Sequence, residues 1–334
     1  MLVPTLPFLV LFLLAVSATA GPLPIIGGQG RFRYVFEPTK FQYSQSPNDQ
    51  NGHGVVLDSK TKAIFFTFVP KTVQANTQAL IKFSPDGSSS VAIGVPGPAG
   101  LSGGVPHGLR IEHDADANAT FLYHANNQQL VHKTDLDGNV VWTTNLSNWE
   151  NEKPNFWPIL PTDAVVVPGT DILLVADGYG SSWIHQFNKT TGVYIPGKSF
   201  GGKGNTTSPL RFNTPHGINL DPARPGTVVV SDRSNGRLVW TNKDGEFLGV
   251  APTASTVPGL ALPCNVDSFD DAEEGLVKVV PSLGLSYSNL TQGSVGIFDK
   301  QNRVISTIAV ADLIGDSGHQ HPHDAMFLPN GDVV

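Results

Sequence analysis

The sequence predicts an all-β fold, a six-bladed β-propeller whose last blade is incomplete. Three observations lead there. Four segments share one opening: Gly52-His53-Gly54-Val55-Val56-Leu57-Asp58, Pro106-His107-Gly108-Leu109-Arg110-Ile111, Pro215-His216-Gly217-Ile218-Asn219-Leu220-Asp221 and Pro322-His323-Asp324-Ala325-Met326-Phe327-Leu328. Their histidines recur at intervals of 54, 109 and 107 residues, so the later gaps are about twice the first. Those gaps hold the missing openings: Pro161-Thr162-Asp163-Ala164, with Thr162 in the histidine slot, and Pro263-Cys264-Asn265-Val266, with Cys264 in it. Six units of about fifty residues, each opening on an apolar strand, are the pattern of a radial repeat.

The elements follow in order. The first twenty residues carry no charge, have an apolar core from Leu6 to Val16 and end in Ala18-Thr19-Ala20 before Gly21. That is a secretory-signal pattern, although the n-region lacks Lys and Arg. The reading makes residues 1–20 a signal peptide and residues 21–334 one propeller domain. An uncleaved anchor is the alternative, but the apolar stretch is short for the ~20 residues of a span, and the rest of the chain has none long enough. Phe32–Phe36 is a strand expected to help complete a blade where the two ends of the chain meet. Ala63–Phe68, Asp171–Ala176, Thr227–Ser231 and Ser294–Phe298 read as further strands. Pro85-Asp86-Gly87, Asp137-Gly138, Asp244-Gly245 and Asn330-Gly331 read as hairpin turns. From Arg31 onward no amphipathic helix is evident. The chain stops at Val334, in the second strand of the sixth unit, which reads as a C-terminal truncation with that blade about half built.

Composition narrows the function. The 35 glycines and 26 prolines are dispersed, which suits many turns between short strands. A net charge of −7 with 15% charged residues and no basic stripe argues against a nucleic-acid partner. The single Cys264 rules out an intramolecular disulfide, so stability rests on packing and on any bound ions. Sequons at Asn118, Asn145, Asn188, Asn205 and Asn289 agree with a secreted glycoprotein. Histidine at one slot of successive units puts a ring of imidazoles at the channel mouth, which suggests a metal; the bland alternative is a repeated turn in which each imidazole bonds its neighbouring blade. The sequence shows no Gly-x-Ser-x-Gly elbow, no phosphate loop and no His-Glu-x-x-His.

Val175-Ala176-Asp177-Gly178-Tyr179, then Trp183-Ile184-His185-Gln186-Phe187, Phe212-Asn213-Thr214-Pro215-His216-Gly217 and Ser231-Asp232-Arg233-Ser234-Asn235-Gly236-Arg237, carry a specific likeness. From about Gly52 to Val334 the chain resembles the NHL-repeat propeller of the peptidyl-α-hydroxyglycine α-amidating lyases, or peptidylamidoglycolate lyases. The resemblance implies a catalytic zinc on His107, His216 and His323, Tyr179 as the base, and Arg233 as a partner for negative charge. It also implies a structural calcium on Asp324 with the carbonyls of Val55 and Leu109. The reaction would split a carbinolamide C–N bond of a small-molecule or peptide substrate into an amide and glyoxylate, with a separate monooxygenase supplying the hydroxyglycine.

Some residues depart from the pattern. Counting from the first blade, the position of a second family arginine falls on Phe68, and the disulfides of the animal enzymes are absent. His53 is an additional candidate channel ligand, and His319 and His321 are further histidines beside His323. Cys264 reads as a small buried hydrophobe. Two alternatives therefore stay open: a metal-dependent lactonase or other hydrolase on the same kind of propeller, and a non-catalytic binding propeller.

Overall fold

A computed structural model describes residues 13–15, 27–37, 40–41, 43, 49–97, 100–148, 158–253, 260–283, 293–310 and 321–334. Most of the signal segment, Asn289 and His319 lie outside them, although Leu13–Ala15 forms a strand.

Strand follows strand in chain order in five four-stranded antiparallel sheets. Blade I is Asp49–Leu57, Ile64–Pro70, Leu80–Phe83 and Ser90–Ile93; blade II is Pro106–Asp114, Ala119–Asn126, Leu130–Thr134 and Val140–Asn145. Blade III is Asp163–Val166, Ile172–Ala176, Trp183–Asn188 and Phe200–Gly201; blade IV is Pro215–Leu220, Thr227–Asp232, Arg237–Asn242 and Phe247–Pro252. Blade V is Asp267–Asp271, Gly275–Ser282, Ser294–Phe298 and Val304–Ala309. Among the described residues the propeller thus has five four-stranded blades, not the six expected. Residues 321–334 of the sixth unit suffice only for one inner pair, in which Met326 and Val334 exchange two backbone hydrogen bonds of 2.9 Å beside the Phe327–Val333 bridge.

Period-2 geometry explains why the inner strands are apolar along their whole length. Successive side chains point to opposite faces, and each face of a blade meets a neighbouring blade. In blade III, Leu174 and Ala176 pack toward Ile218, Val228 and Val230 of blade IV, while Leu173 and Val175 pack toward Tyr123 and Val131 of blade II. The hairpin glycines predicted from sequence, Gly87, Gly138, Gly245 and Gly331, all adopt positive φ, between 74° and 86°.

Ring closure also differs from expectation. Phe32–Phe36 is the central strand of a separate sheet, between Leu13–Ala15 and Gly27–Gln29. That sheet packs Phe32 and Tyr34 against Val277, Val295 and Ile308 of blade V and Phe327 and Val333 of the last unit. Gln29 meets the outer strand of blade V: its backbone N–H donates to Ser306 Oγ at 2.8 Å, and its side-chain Oε1 accepts from Thr307 N at 2.7 Å. The last unit reaches blade I through packing of Met326, Leu328 and Val334 on Val55, Ile64 and Phe68.

Candidate metal centre

Each slot histidine is fixed by the unit that follows it. His53 Nδ1 lies 2.8 Å from Pro106 O, His107 Nδ1 2.6 Å from Thr162 O, His216 Nδ1 2.9 Å from Cys264 O, and His323 Nδ1 3.3 Å from His53 O. A carbonyl can only accept, so Nδ1 carries the proton and Nε2 keeps its lone pair for the channel. Thr162 continues the same ladder without a ring, since its hydroxyl donates to Pro215 O at 3.0 Å. The bland reading, an imidazole bonding its neighbouring blade, and the metal reading are therefore compatible: the same bond that ties two blades orients a ligand.

The glycine after the histidine has a steric reason. A Cβ on Gly108 would lie 2.4 Å from Asp163 Oδ1 and 2.5 Å from Thr162 O, and one on Gly217 would lie 2.6 Å from Cys264 O. At these two positions the missing side chain lets the next unit approach to Nδ1 bonds of 2.6 and 2.9 Å, whereas His323, followed by Asp324, makes its bond at 3.3 Å.

Four imidazoles converge. Ring centroids are 4.3 Å apart for His53 and His107, 4.5 Å for His53 and His323, 4.6 Å for His107 and His323, 4.8 Å for His107 and His216, and 4.6 Å for His216 and His323. The ligand atoms of His53, His107 and His323 all lie within 4.8 Å of one another. Burial alone holds the His53 ring down at about 4, and burial holds His107, His216 and His323 well below the usual histidine range, with neighbouring imidazoles adding for these three and Arg233 for His216 and His323. The rings are neutral at pH 7, the form that ligates metal. This donor set fits zinc, with a contraction of the cluster toward the ~3.3 Å spacing that Zn–N bonds of about 2.0–2.1 Å imply.

Tyr179 stands over this ring. Its hydroxyl is 3.0 Å from His216 Nε2 and 3.4 Å from His107 Nε2, and Arg233 Nη1 donates to it at 3.2 Å. The turn that presents it is held by Asp177, whose carboxylate accepts from Leu160 N at 2.6 Å and Ser181 N at 2.7 Å. Asp232 does the same for the Arg233 turn, accepting from Asn213 N at 2.7 Å and Arg237 Nε at 2.7 Å. Thr214, at φ 61°, is a β-branched residue in left-handed backbone; its carbonyl accepts the Arg233 N–H at 3.0 Å, so the strain lies where His216 and Arg233 are placed.

The position that the resemblance gives to calcium is different. Arg110 occupies it: Nη1 donates to Leu109 O at 2.9 Å, Nε to Ile218 O at 3.1 Å, and Nη2 to Asp163 Oδ2 at 2.6 Å and to Asn265 Oδ1. Asp324 Oδ2 accepts Val55 N at 3.0 Å and faces Arg110 Nη1 at 3.9 Å, while Oδ1 accepts Ala325 N at 2.9 Å and the Asn265 amide. Val55 thus offers its N–H to Asp324, and the oxygens of Leu109 and Asp324 are already engaged. This arrangement does not fit a calcium ion beside the guanidinium.

The structure therefore brings together His53, His107, His216, His323, Tyr179 and Arg233, and sets Asp324, Val55 and Leu109 below them. Phe68 is buried with Phe41, Ile81 and Leu328; the preceding Thr67 faces the channel side and donates to His107 O at 2.9 Å. His321 lies against Leu283 O, outside the imidazole cluster, and Cys264 is buried. Sequence reasoning missed Arg110, Asp163 and Asn265. Their signal was present: a lone charge inside Leu109-Arg110-Ile111, and Asp163, Asn265 and Asp324 just after the slot where the other units carry glycine.

No family model matches the chain. It is 37% identical over 115 residues to human NHL repeat-containing protein 3, covering 33% of this chain and 30% of that protein. It is 38% identical over 78 residues to peptidyl-glycine alpha-amidating monooxygenase A of Xenopus laevis, covering 23% of this chain and 8% of that protein. The chain is similar to NHL-repeat propellers. It spans at most about a third of the length of these relatives. Among solved structures, the WD40 β-propeller domain of Doa1 aligns with TM-score 0.50 and 13% identity over 84% of this chain and 74% of that one, a likeness of fold alone.

Proposed function

We propose that the channel mouth is the active site of a zinc-dependent lyase of the amidating-lyase type, which cleaves an α-hydroxyglycine carbinolamide to an amide and glyoxylate. The observation that carries this is the Tyr179 hydroxyl, set within 3.4 Å of two ligand nitrogens and hydrogen-bonded by Arg233. His107, His216 and His323, or His53 in place of one of them, would hold the zinc, which would supply Lewis acidity to a substrate oxygen. Arg233 places a fixed positive charge beside the phenol oxygen, which favours a phenolate. Tyr179 then takes the α-hydroxyl proton, the C–N bonding pair moves to nitrogen, and Tyr179 returns that proton to nitrogen as the amide departs and glyoxylate is left. Arg233 also has donors for a substrate carboxylate.

Secretion is part of the same proposal. Asn118, Asn145 and Asn205, three of the described sequon asparagines, are exposed in turns or at strand ends, where glycans clear the core. No helix among the described residues is long and apolar enough to cross a membrane.

A second reading is hydrolysis of an uncharged ester or lactone, and the burial of Phe68 supports it: the position counted for a second arginine belongs to the core. One experiment separates the two. Zinc-loaded protein is assayed for glyoxylate from α-hydroxyhippurate and, in parallel, for lactone hydrolysis. Metal-dependent glyoxylate supports the lyase; lactone hydrolysis alone replaces it with the hydrolase, and inactivity on both with His107→Ala leaving ligand binding unchanged favours a binding propeller.

A further inference from the structure

We propose that Arg110 takes the place of a divalent cation in the shaft of this propeller, so that the ring closes on a guanidinium and is indifferent to calcium. The inference stands on the shaft geometry and does not depend on the lyase reading.

Arg110 is 7% exposed, and a buried guanidinium persists only where its donors and charge are met. Here they are met by oxygens spread around the ring: Leu109 O from blade II, Asp163 Oδ2 from blade III, Ile218 O from blade IV and Asn265 Oδ1 at the start of blade V. Asp324 of the last unit supplies a second carboxylate 3.9 Å away. Two carboxylates, an amide oxygen and two carbonyls are the hard oxygen donors that calcium selects, normally six to eight at about 2.3–2.6 Å. In this chain they enclose a planar cation with directional N–H donors instead. A calcium ion added to the same shaft would set a second cation beside the guanidinium, and would need oxygens that Arg110, Asn265 and the backbone amides of Val55 and Ala325 already hold.

The neighbouring spaces agree with this role. Below Arg110 the channel opens into a cavity of about 850 Å³ lined by Val56, Glu112, Asn219, Asp267, Asp324 and Phe327. Above lies the imidazole pocket, bordered by Asp163 and Asn265. The guanidinium with its carboxylates is the partition between them.

The test uses the full chain stripped of metal and then titrated with calcium alone, followed by calorimetry and thermal unfolding. Imidazole is a poor ligand for so hard a cation, so calcium does not report on the histidines. The expected wild-type result is no stoichiometric calcium binding and an unchanged Tm. One bound calcium per chain, or a Tm that rises by several degrees at about a hundred times Kd, overturns the proposal. Arg110→Ala is expected to lower Tm, to bind one calcium and to regain part of the loss; an Arg110→Ala protein that folds but ignores calcium also overturns it. If Arg110→Ala does not fold, Arg110→Lys keeps a cation without the planar fork, and a lowered Tm that is calcium-insensitive is the supporting result, a calcium-dependent one the opposite.

Discussion

Gly108→Ala tests whether the glycine after a slot histidine is a spacer for the metal ligand. Gly108 does not adopt positive φ, so alanine meets no backbone penalty and the effect is steric. Its Cβ would stand 2.4 Å from Asp163 Oδ1, 2.5 Å from Thr162 O and 2.7 Å from Asp163 Cα. Backing the first strand of blade III away by roughly 1 Å restores ordinary contact but stretches two bonds to Thr162 O: His107 Nδ1, now at 2.6 Å, and Gly108 N, now at 2.9 Å. Two weakened hydrogen bonds at about 1 kcal/mol each and an overpacking cost of about 1–3 kcal/mol put the loss at about 3–5 kcal/mol. Zinc affinity should fall about 10- to 100-fold, because the group that fixes the His107 tautomer has moved. Urea unfolding and competition with a chromophoric chelator measure the two effects. Gly249→Ala, whose Cβ meets nothing nearer than 3.9 Å, is the control. If Gly108→Ala unfolds within about 0.5 kcal/mol of wild type and binds zinc equally well, the spacer argument is wrong.

Other outcomes follow from the same geometry. Tyr179→Phe should reduce glyoxylate release by about 100-fold or more with zinc content unchanged; loss of zinc in this variant would make Tyr179 a ligand rather than a base. Leu122→Ala, at a side chain with 0% exposure between blades I and II, should cost about 2–5 kcal/mol in urea, and a smaller loss would mean that the interface collapses around the void. Burial lowers His132 in blade II to about 4 from its ordinary 6.5. Because the folded value is the depressed one, the unfolded chain takes up the proton first; stability is full above 6.5 and is lost as pH falls toward 4, by at most about 3 kcal/mol. His132→Gln should flatten that part of the urea midpoint profile, and an unaltered slope would show that His132 is not responsible.

The inner strands and turns were legible because their signals are local. Val228, Val229 and Val230 make an apolar run, and a glycine at positive φ marks the four turns read from Asp-Gly and Asn-Gly pairs. The histidine slot was legible because repetition makes a distant relationship visible in one dimension. Blade number and closure were less so: whether residues 321–334 make a blade depends on how many strands they can supply, and the docking of Phe32 and Tyr34 on blade V depends on a long-range fit that no local pattern encodes. Arg110 escaped for the same reason. Its partners Asp163, Ile218 and Asn265 lie 53, 108 and 155 residues away, so the sequence shows a charge without showing what neutralises it.

The imidazole ladder has a consequence for chain connectivity. His53 and His323 are 270 residues apart, yet their rings touch. A zinc ion shared between them would tie the two ends of the propeller together as a covalent staple does, and closing a loop of that length restricts the unfolded chain by roughly 6 kcal/mol in the chain-entropy description used for disulfides. With a lone buried Cys264, this protein has no sulfur bridge to perform that task. Its cross-link would be opened by acid or a chelator and would be untouched by reductant, so the redox poise of its surroundings would have no hold on its fold.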